Sequence, residues 1–254
     1  MAYNVWTYSL ISVLFVSLIS FIGVFTLSIK IEKLRKVLIY LISFSAGALL
    51  GDAFIHLLPE IVEESGFTTN ISLYLLLGIV GFFVLEKGIH WQHCHRHMTE
   101  EGGKHVHAFA YTNLVGDGFH NFLDGVIVAA SYMLSLPAGI ATTIAVVLHE
   151  IPQEIGDFGV LLHAGFSRGK ALLLNFGSAL LAVLGVIVAL SLRGRIEGLE
   201  MFLVPIAIGG FIYIAGSDLI PELHKHSDGF ARNVLQLIAF LIGVGVMWGL
   251  LFID

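Results

Sequence analysis

The chain has 254 residues and a formal net charge of −6, and 57% of its residues are hydrophobic while only 13% are charged. A soluble globular domain carries about a quarter charged residues, so this composition excludes an ordinary water-facing surface and predicts an all-α protein in a lipid bilayer. Nucleic acid is not an expected partner because no basic patch is present, and the single cysteine, Cys94, excludes an intramolecular disulfide framework.

Eight apolar runs are long enough to cross a bilayer, which takes about 20 residues per helix. They fall at roughly 8–29, 37–58, 71–90, 109–134, 137–162, 170–192, 202–220 and 232–252. The first run has no basic residue before it and no cleavage site after it, so we expect a transmembrane helix and not a signal peptide. The connections are short, so we predict a polytopic fold in which residues 1–254 form a single transmembrane domain.

Lysine and arginine are concentrated in alternate connections. The connections after the first, third, fifth and seventh runs hold basic residues such as Lys33, Arg96 and Lys225, whereas the opposite side has only Arg193 and Arg195. By the positive-inside rule, we expect both termini to be extracytoplasmic in a multi-pass protein of the cell membrane (inner or plasma membrane).

Two short segments echo each other. Residues 56–60 follow Gly47 at the same spacing at which residues 218–222 follow Gly209, and both segments end in Pro-Glu. The second and seventh helices run in opposite directions in the predicted topology. The echo therefore indicates an inverted-repeat transporter bundle.

Polar and ionisable residues interrupt the fourth and fifth runs. The fourth contains Asp117, His120, Asn121 and Asp124, and the fifth contains His149, Glu150, Gln153, Glu154 and Asp157. Each ionisable group inside a bilayer costs about 2.5–3.5 kcal/mol on insertion scales, so such groups need partners or a function. Helical spacing places the two acids and the histidine of the fourth run on one face.

Imidazole, carboxylate and amide groups together suit borderline divalent ions such as zinc, iron(II), manganese and cadmium. Crowded carboxylates repel one another, and a divalent ion between the two helices would neutralise them. Pro152 removes a backbone donor and frees the carbonyl of Leu148, and such irregular backbone is tolerated at membrane depth where it lines a cavity or faces protein. We therefore predict a buried metal site between the fourth and fifth helices.

Two other functions use the same residue types. His149 and Glu150 begin the pattern of a zinc metallopeptidase, but that pattern needs a second histidine where this chain has Gln153. A proton-coupled solute transporter would use the acids as relay groups, and it leaves both histidines unexplained. We therefore expect a metal transporter and not an enzyme.

Four segments resemble one known family. Residues 120–125 (HNFLDG) and 149–158 (HEIPQEIGDF) look like the paired motifs of the ZIP (Zrt/Irt-like) metal transporters, LIV-type subfamily. Residues 46–60 and 209–225 resemble the second and seventh helices of the same subfamily. The sequence has no large extracellular domain of the kind many eukaryotic members carry, so it is similar to a minimal, prokaryotic-type member.

The resemblance implies transport of zinc into the cytoplasm through a binuclear-type site, with iron, manganese and cadmium as alternative cargoes. It implies no cofactor beyond the transported metal, and it admits a homodimer. By position in the motifs, the metal ligands would be His120, Asp124, His149 and Gln153 in the primary site, with Asn121 and Glu150 in its neighbour.

Further residues are assigned to the pathway or to regulation. The pathway or accessory residues are Asp52, His56, Asp117, Glu154, Asp157 and Asp218, of which Asp117, Glu154 and Asp157 also fit plain polar contacts between helices. A histidine-rich cytoplasmic loop, 91–108, would be regulatory and contains His93, Cys94, His95, His97, His105 and His107.

Gln153 departs from the family pattern. LIV-type relatives usually have histidine at this position, and other branches have glutamate. A neutral amide is a poor zinc ligand beside imidazole and carboxylate. We therefore expect altered or weaker metal selectivity with an unchanged fold.

Overall fold

A computed structural model describes residues 4–26, 31–96, 102–225 and 229–252. Within these ranges every regular element is helical, and eight helices follow one another along the chain. Helix α1 comprises Val5–Ile19, a 3-10 turn at Ser20–Ile22 and Gly23–Thr26, and α2 comprises Ile31–Gly51, a π-helical stretch at Asp52–Leu57 and Leu58–Ser65. Helices α3, α4 and α5 are Thr69–Arg96, Gly102–Leu134 and Leu136–His163. Helix α6 comprises Arg168–Ala179 and Leu181–Arg193, α7 comprises Leu199–Tyr213, a π-helical stretch at Ile214–Leu219 and Ile220–Lys225, and α8 is Phe230–Leu250.

Six of these helices are long and apolar enough to cross a membrane. The spans are Val5–Phe25, Lys36–Ser65, Thr69–Lys87, Arg168–Arg193, Leu199–Lys225 and Phe230–Leu250. Helices α4 and α5 have 33 and 28 residues, so both are long enough to cross a membrane. Their polar residues lower their mean hydropathy. The all-α polytopic fold is thus as predicted, while the count of eight spans stays a prediction.

Helices α4 and α5 are joined by a tight turn at Ser135. The hydroxyl of Ser135 caps α5 by accepting a hydrogen bond from the backbone N–H of Ala138 at 3.1 Å, and a proline occupies the first turn of α5. Serine caps and first-turn prolines are favourable helix starts. The short turn makes α4 and α5 antiparallel neighbours, which brings their polar faces together.

Glycines bring three helix pairs into close contact. A Cβ atom at any of these positions would collide with a backbone carbonyl of the partner helix: Gly47 and Gly243 between α2 and α8, Gly78 and Gly209 between α3 and α7, and Gly125 and Gly185 between α4 and α6. Small residues permit such backbone approach in membrane helices, where dispersion contacts drive association. These pairs fix the positions of α4 and the two π-containing helices.

The sequence similarity between α2 and α7 is matched by a similarity in backbone structure. The π-helical stretches Asp52–Leu57 and Ile214–Leu219 each begin five residues after the echoed glycines Gly47 and Gly209. π-helix is rare and occurs mostly as single turns, frequently at functional sites. Two π stretches at equivalent positions are what an inverted repeat would produce.

Helices α3 and α4 both extend into the segment 91–108, which the sequence predicted to be a loop. Helix α3 continues to Arg96 and α4 begins at Gly102, so much of that segment has helical backbone. Residues 97–101 lie outside the described part of the chain, and no side chain is described between 88 and 109. The predicted loop residues His93, Cys94, His95, His97, His105 and His107 therefore fall outside what the structure describes.

Candidate metal centre

Four side chains from α4 and α5 converge on one point. His120 and Asp124 come from α4, His149 and Glu150 come from α5, and one ligand atom of each lies within 4.8 Å of the others. The Nε2 atoms of the two histidines are 3.1 Å apart. Two imidazoles bound to one tetrahedral zinc ion would place their nitrogens about 3.3 Å apart, given Zn–N bonds of about 2.0–2.1 Å.

The carboxylates complete the cluster. The Nε2 atom of His149 lies 3.2 Å from Oδ2 of Asp124 and 3.5 Å from Oε1 of Glu150. The Nε2 atom of His120 lies 3.7 Å and 3.5 Å from the same two oxygens. Two imidazole nitrogens and two carboxylates form a donor set that suits zinc and other borderline divalent ions.

Burial leaves these carboxylates without other partners. Asp124, His149 and Glu150 are buried, and among the described residues no hydrogen-bond donor reaches a carboxylate oxygen of Asp124 or Glu150. A buried, unpaired anion is costly, and a bound cation would remove that cost. The side chain of His120 is 18% exposed, so the cluster is accessible from this residue's side.

A backbone contact fixes the ring of His149. Its Nδ1 atom donates to the carbonyl oxygen of Ala145 at 3.2 Å, which leaves Nε2 directed at the cluster. Hydrogen bonds of this kind set the tautomer and orientation of metal-binding histidines.

Next to His149, α5 is hydrogen-bonded to α2 at a position that depends on Pro152. The proline interrupts the helical hydrogen bonding of α5 and frees the carbonyl of Leu148. The hydroxyl of Ser45, on α2, donates to that carbonyl at 2.5 Å. The backbone next to His149 is thereby tied to a neighbouring helix.

Asn121 and Gln153 lie beside the four-residue cluster and contact a different acid. The Nδ2 atom of Asn121 donates to Oδ1 of Asp117 at 3.0 Å, and the Nε2 atom of Gln153 donates to the same oxygen at 3.2 Å. The amide nitrogen of Gln153 is therefore engaged with Asp117. Glu150, which the resemblance assigned to the neighbouring site, is part of the four-residue cluster, and a ligand role for Gln153 stays a prediction.

The other acids of α4 and α5 have amide partners. Asp157 accepts a hydrogen bond from Asn113 at 2.7 Å, and Glu154 accepts one from Asn175 of α6. Sequence reasoning missed both asparagines. Asn175 was detectable only as a lone amide in an otherwise apolar run, and nothing in the spacing linked it to Glu154.

The accessory residues of the π stretches have different neighbours. Asp52 is fully buried and its Oδ2 atom accepts a hydrogen bond from Thr142 of α5 at 2.8 Å. His56 donates from Nε2 to the carbonyl of Met247 at 2.8 Å. Asp218 lines a cavity of about 120 Å³ together with His120, and Glu86 and Tyr213 form a hydrogen bond at the same cavity.

The family profile and the individual relatives that match this chain agree on one family. A sequence profile described as "ZIP Zinc transporter" matches residues 3–108 and 90–251. Zinc transporter zipt-7.1 of Caenorhabditis briggsae is 30% identical, and the alignment covers 96% of this chain and 79% of that protein. Zinc transporter ZIP13 of Pongo abelii is 35% identical, over 82% of this chain and 65% of that protein. Zinc transporter SLC39A7 of Rattus norvegicus is 27% identical, over 96% of this chain and 72% of that protein.

The profile covers nearly the whole chain, including both helices of the four-residue cluster. The relatives are named as transporters and not as peptidases, which removes the enzyme alternative raised by His149 and Glu150. The apolar helices and these matches agree on a multi-pass membrane protein. This chain belongs to the ZIP family of metal transporters.

Proposed function

We propose that the chain transports divalent transition-metal ions, zinc foremost, into the cytoplasm through the cluster of His120, Asp124, His149 and Glu150. The observation that carries the proposal is this buried donor set, whose carboxylate oxygens accept no hydrogen bond from the part of the chain that the structure describes. Zinc is the metal in the names of the relatives, and iron, manganese and cadmium suit the same donors.

The entry route runs along α2. Glu60, His56 and Asp52 lie one to two turns apart on this helix; Glu60 contacts Ser135 at the α4–α5 turn, and Asp52 contacts Thr142 further along α5. Acidic and imidazole groups along one route attract a cation and provide successive contacts. The route leads from the start of α5 toward His149.

The membrane orientation follows from the basic residues. With both termini extracytoplasmic, the α4–α5 turn faces outward and the ends of α3 and α5 face the cytoplasm. Metal entering beside the turn and leaving at the opposite ends would move inward. A homodimer in the cell membrane is part of the same proposal.

The test is uptake of radioactive zinc by proteoliposomes that contain the purified chain. We expect His149→Ala and Asp124→Asn each to reduce zinc uptake at least tenfold, because each removes one donor from the cluster. Glu197→Gln, in the exposed α6–α7 connection, is the control and should retain full uptake. Equal uptake by the parent chain and the two site variants would exclude this cluster as the transport site.

A further inference from the structure

An apolar groove of about 590 Å³ runs along the surface of the protein between α4 and α6. Its walls are apolar side chains of both helices, among them Phe119 of α4, which is 55% exposed, and Leu173 of α6, which is 69% exposed. Gly177 leaves space in the groove, because a Cβ atom added there would meet no atom within 4 Å. The groove is therefore open to the hydrocarbon of the bilayer and is shaped to hold an apolar chain.

The length of the groove matches one leaflet of a bilayer. Helix α6 lines it from Leu173 to Leu184, which corresponds to a rise of about 16 Å at 1.5 Å per residue. The hydrocarbon core of a bilayer is about 30 Å thick, so the acyl chains of one leaflet occupy about 15 Å. An acyl chain could therefore lie along the groove from one end to the other.

One end of the groove carries positive charge. Arg168 and Lys170 are exposed in the first turn of α6, and Lys170 precedes Leu173 by one turn. No acidic residue occurs in the sequence from 158 to 196. Within the described ranges neither Arg168 nor Lys170 forms an ion pair. The protein therefore leaves both charges available to an anion at this end of the groove.

Aromatic side chains hold the basic end of the groove together. The ammonium group of Lys170 lies 4.8 Å from the ring centre of Phe166, and the Phe166 ring contacts the ring of Tyr111 on α4 with centres 5.7 Å apart. Tyr111 is exposed and precedes the groove residues Leu114 and Val115 by one turn. Tyrosine and basic residues at one level of a helix bundle are typical of the membrane–water interface. We predict this end to be cytoplasmic, and the cytoplasmic leaflet carries the anionic lipids.

We propose that the groove binds an anionic phospholipid of the cytoplasmic leaflet, with one acyl chain along α4 and α6 and the phosphate between Arg168 and Lys170. The basic end selects the charge of the headgroup, and the groove accepts the chain. Phe119, which lines the groove, adjoins His120 of the metal cluster in sequence. The bound lipid thus contacts the outer face of a helix that carries two residues of that cluster.

The experiment is native mass spectrometry of the purified full chain, titrated with phosphatidylglycerol or with phosphatidylcholine of the same acyl chains. We expect the parent chain to bind one phosphatidylglycerol at least about fivefold more tightly than phosphatidylcholine. The double variant Arg168→Gln, Lys170→Gln should bind the two lipids equally. The double variant Arg193→Gln, Arg195→Gln removes two exposed charges at the other end of α6 and should keep the parent's preference.

A second variant tests the groove itself. Gly177→Phe fills the open space and should weaken the binding of both lipids at least about fivefold, because the acyl chain loses its contacts. Gly245→Phe is the matched control, since Gly245 is exposed on α8 and a Cβ there also meets no atom within 4 Å; it should bind both lipids as the parent chain does. A thermal unfolding transition near that of the parent shows that each variant is folded.

Three results would overturn the proposal. The first is equal affinity of the parent chain for the two lipids, which would mean that the contact is with any lipid. The second is unchanged phosphatidylglycerol binding in both the Arg168→Gln, Lys170→Gln variant and the Gly177→Phe variant. The third is a lipid-free dimer of the parent chain that Gly177→Phe dissociates, which would assign the groove to a second copy of the chain.

Discussion

Gln153 has a hydrogen-bonding contact at the site that the sequence did not predict. The motif placed this residue among the zinc ligands, yet its amide nitrogen donates to Asp117. An amide can donate where the carboxylate of glutamate cannot, so the residue suits the anchoring of an acid. Glu150 places a charged oxygen 3.5 Å from each of the two histidine Nε2 atoms.

Ser45 is a second residue with a contact between helices, and its hydroxyl also lies 2.8 Å from the carbonyl oxygen of Leu41 in its own helix. Its hydroxyl donates to the carbonyl of Leu148, which Pro152 leaves without a helical partner. We expect Ser45→Ala to lower the free energy of unfolding by about 1 kcal/mol, because a buried carbonyl loses its donor. The apparent melting temperature in detergent should fall by about 2–4 °C, and zinc affinity should fall because the carbonyl adjoins His149.

Ser43→Ala is the matched control for this substitution. The hydroxyl of Ser43 is buried and donates only within its own helix, to the carbonyl of Ile39. Its removal frees no carbonyl on α5, so zinc affinity should not change. If both variants lose zinc affinity equally, the contact between Ser45 and Leu148 is not the cause.

At the scale of the helix, the apolar runs predicted the elements well and their ends poorly. Apolar side chains mark the part of a helix that lies in the bilayer, while backbone hydrogen bonds continue wherever the chain permits. For this reason α3 reaches Arg96 and α2 reaches Ser65, beyond their runs. The π stretches had no signal in composition, and only the echo between α2 and α7 marked their position.

At the site, residue spacing predicts which side chains share a helix face, but helix packing determines which faces come into contact. Helical periodicity placed Asp117, His120 and Asp124 on one face of α4. It could not show which residues of α5 would meet them, because the rotation of one helix against the other depends on packing. The contacts of Asn113 and Asn175 also depend on that packing, which explains why sequence reasoning missed both residues.

The glycine contacts allow a test of helix packing. We expect Gly47→Ala to destabilise the protein strongly, because the added Cβ would collide with the backbone carbonyl of Phe240 on α8. A rigid backbone cannot yield as a side chain can, so the loss should be at the upper end of the 1–3 kcal/mol typical of overpacking. The measurement is the apparent melting temperature in detergent or nanodiscs.

Gly245→Ala provides the comparison on α8 itself. A Cβ at Gly245 meets no atom within 4 Å, and alanine favours helix over glycine, so this variant should be as stable as the parent chain or slightly more stable. Equal destabilisation by the two substitutions would mean that α2 and α8 do not pack as described.

At the scale of the molecule, charge is distributed along the proposed direction of transport. The end of α2 that we predict to face outward carries Glu60, Glu63 and Glu64, and the last two are exposed. The polar residues Asp52 and His56 follow on the same helix, and the histidine cluster lies beyond them on α4 and α5. A cation that follows this route contacts carboxylates first, and it reaches the nitrogen donors of the cluster only after it has left water.

The acids at the outer end of α2 should therefore increase the local concentration of metal at the entrance. We expect the double variant Glu63→Gln, Glu64→Gln to slow zinc uptake about two- to fivefold at low zinc and to leave uptake at saturating zinc unchanged. Added salt should reduce the difference between variant and parent, because exposed charges are screened.

The control is the double variant Glu197→Gln, Glu200→Gln. It removes two charges at the α6–α7 connection, which lies on the same predicted side of the membrane but in another loop. It should behave like the parent chain at both zinc concentrations. An equal loss at low and saturating zinc in the α2 variant would show that these acids act on a later step of transport and not on capture of the ion.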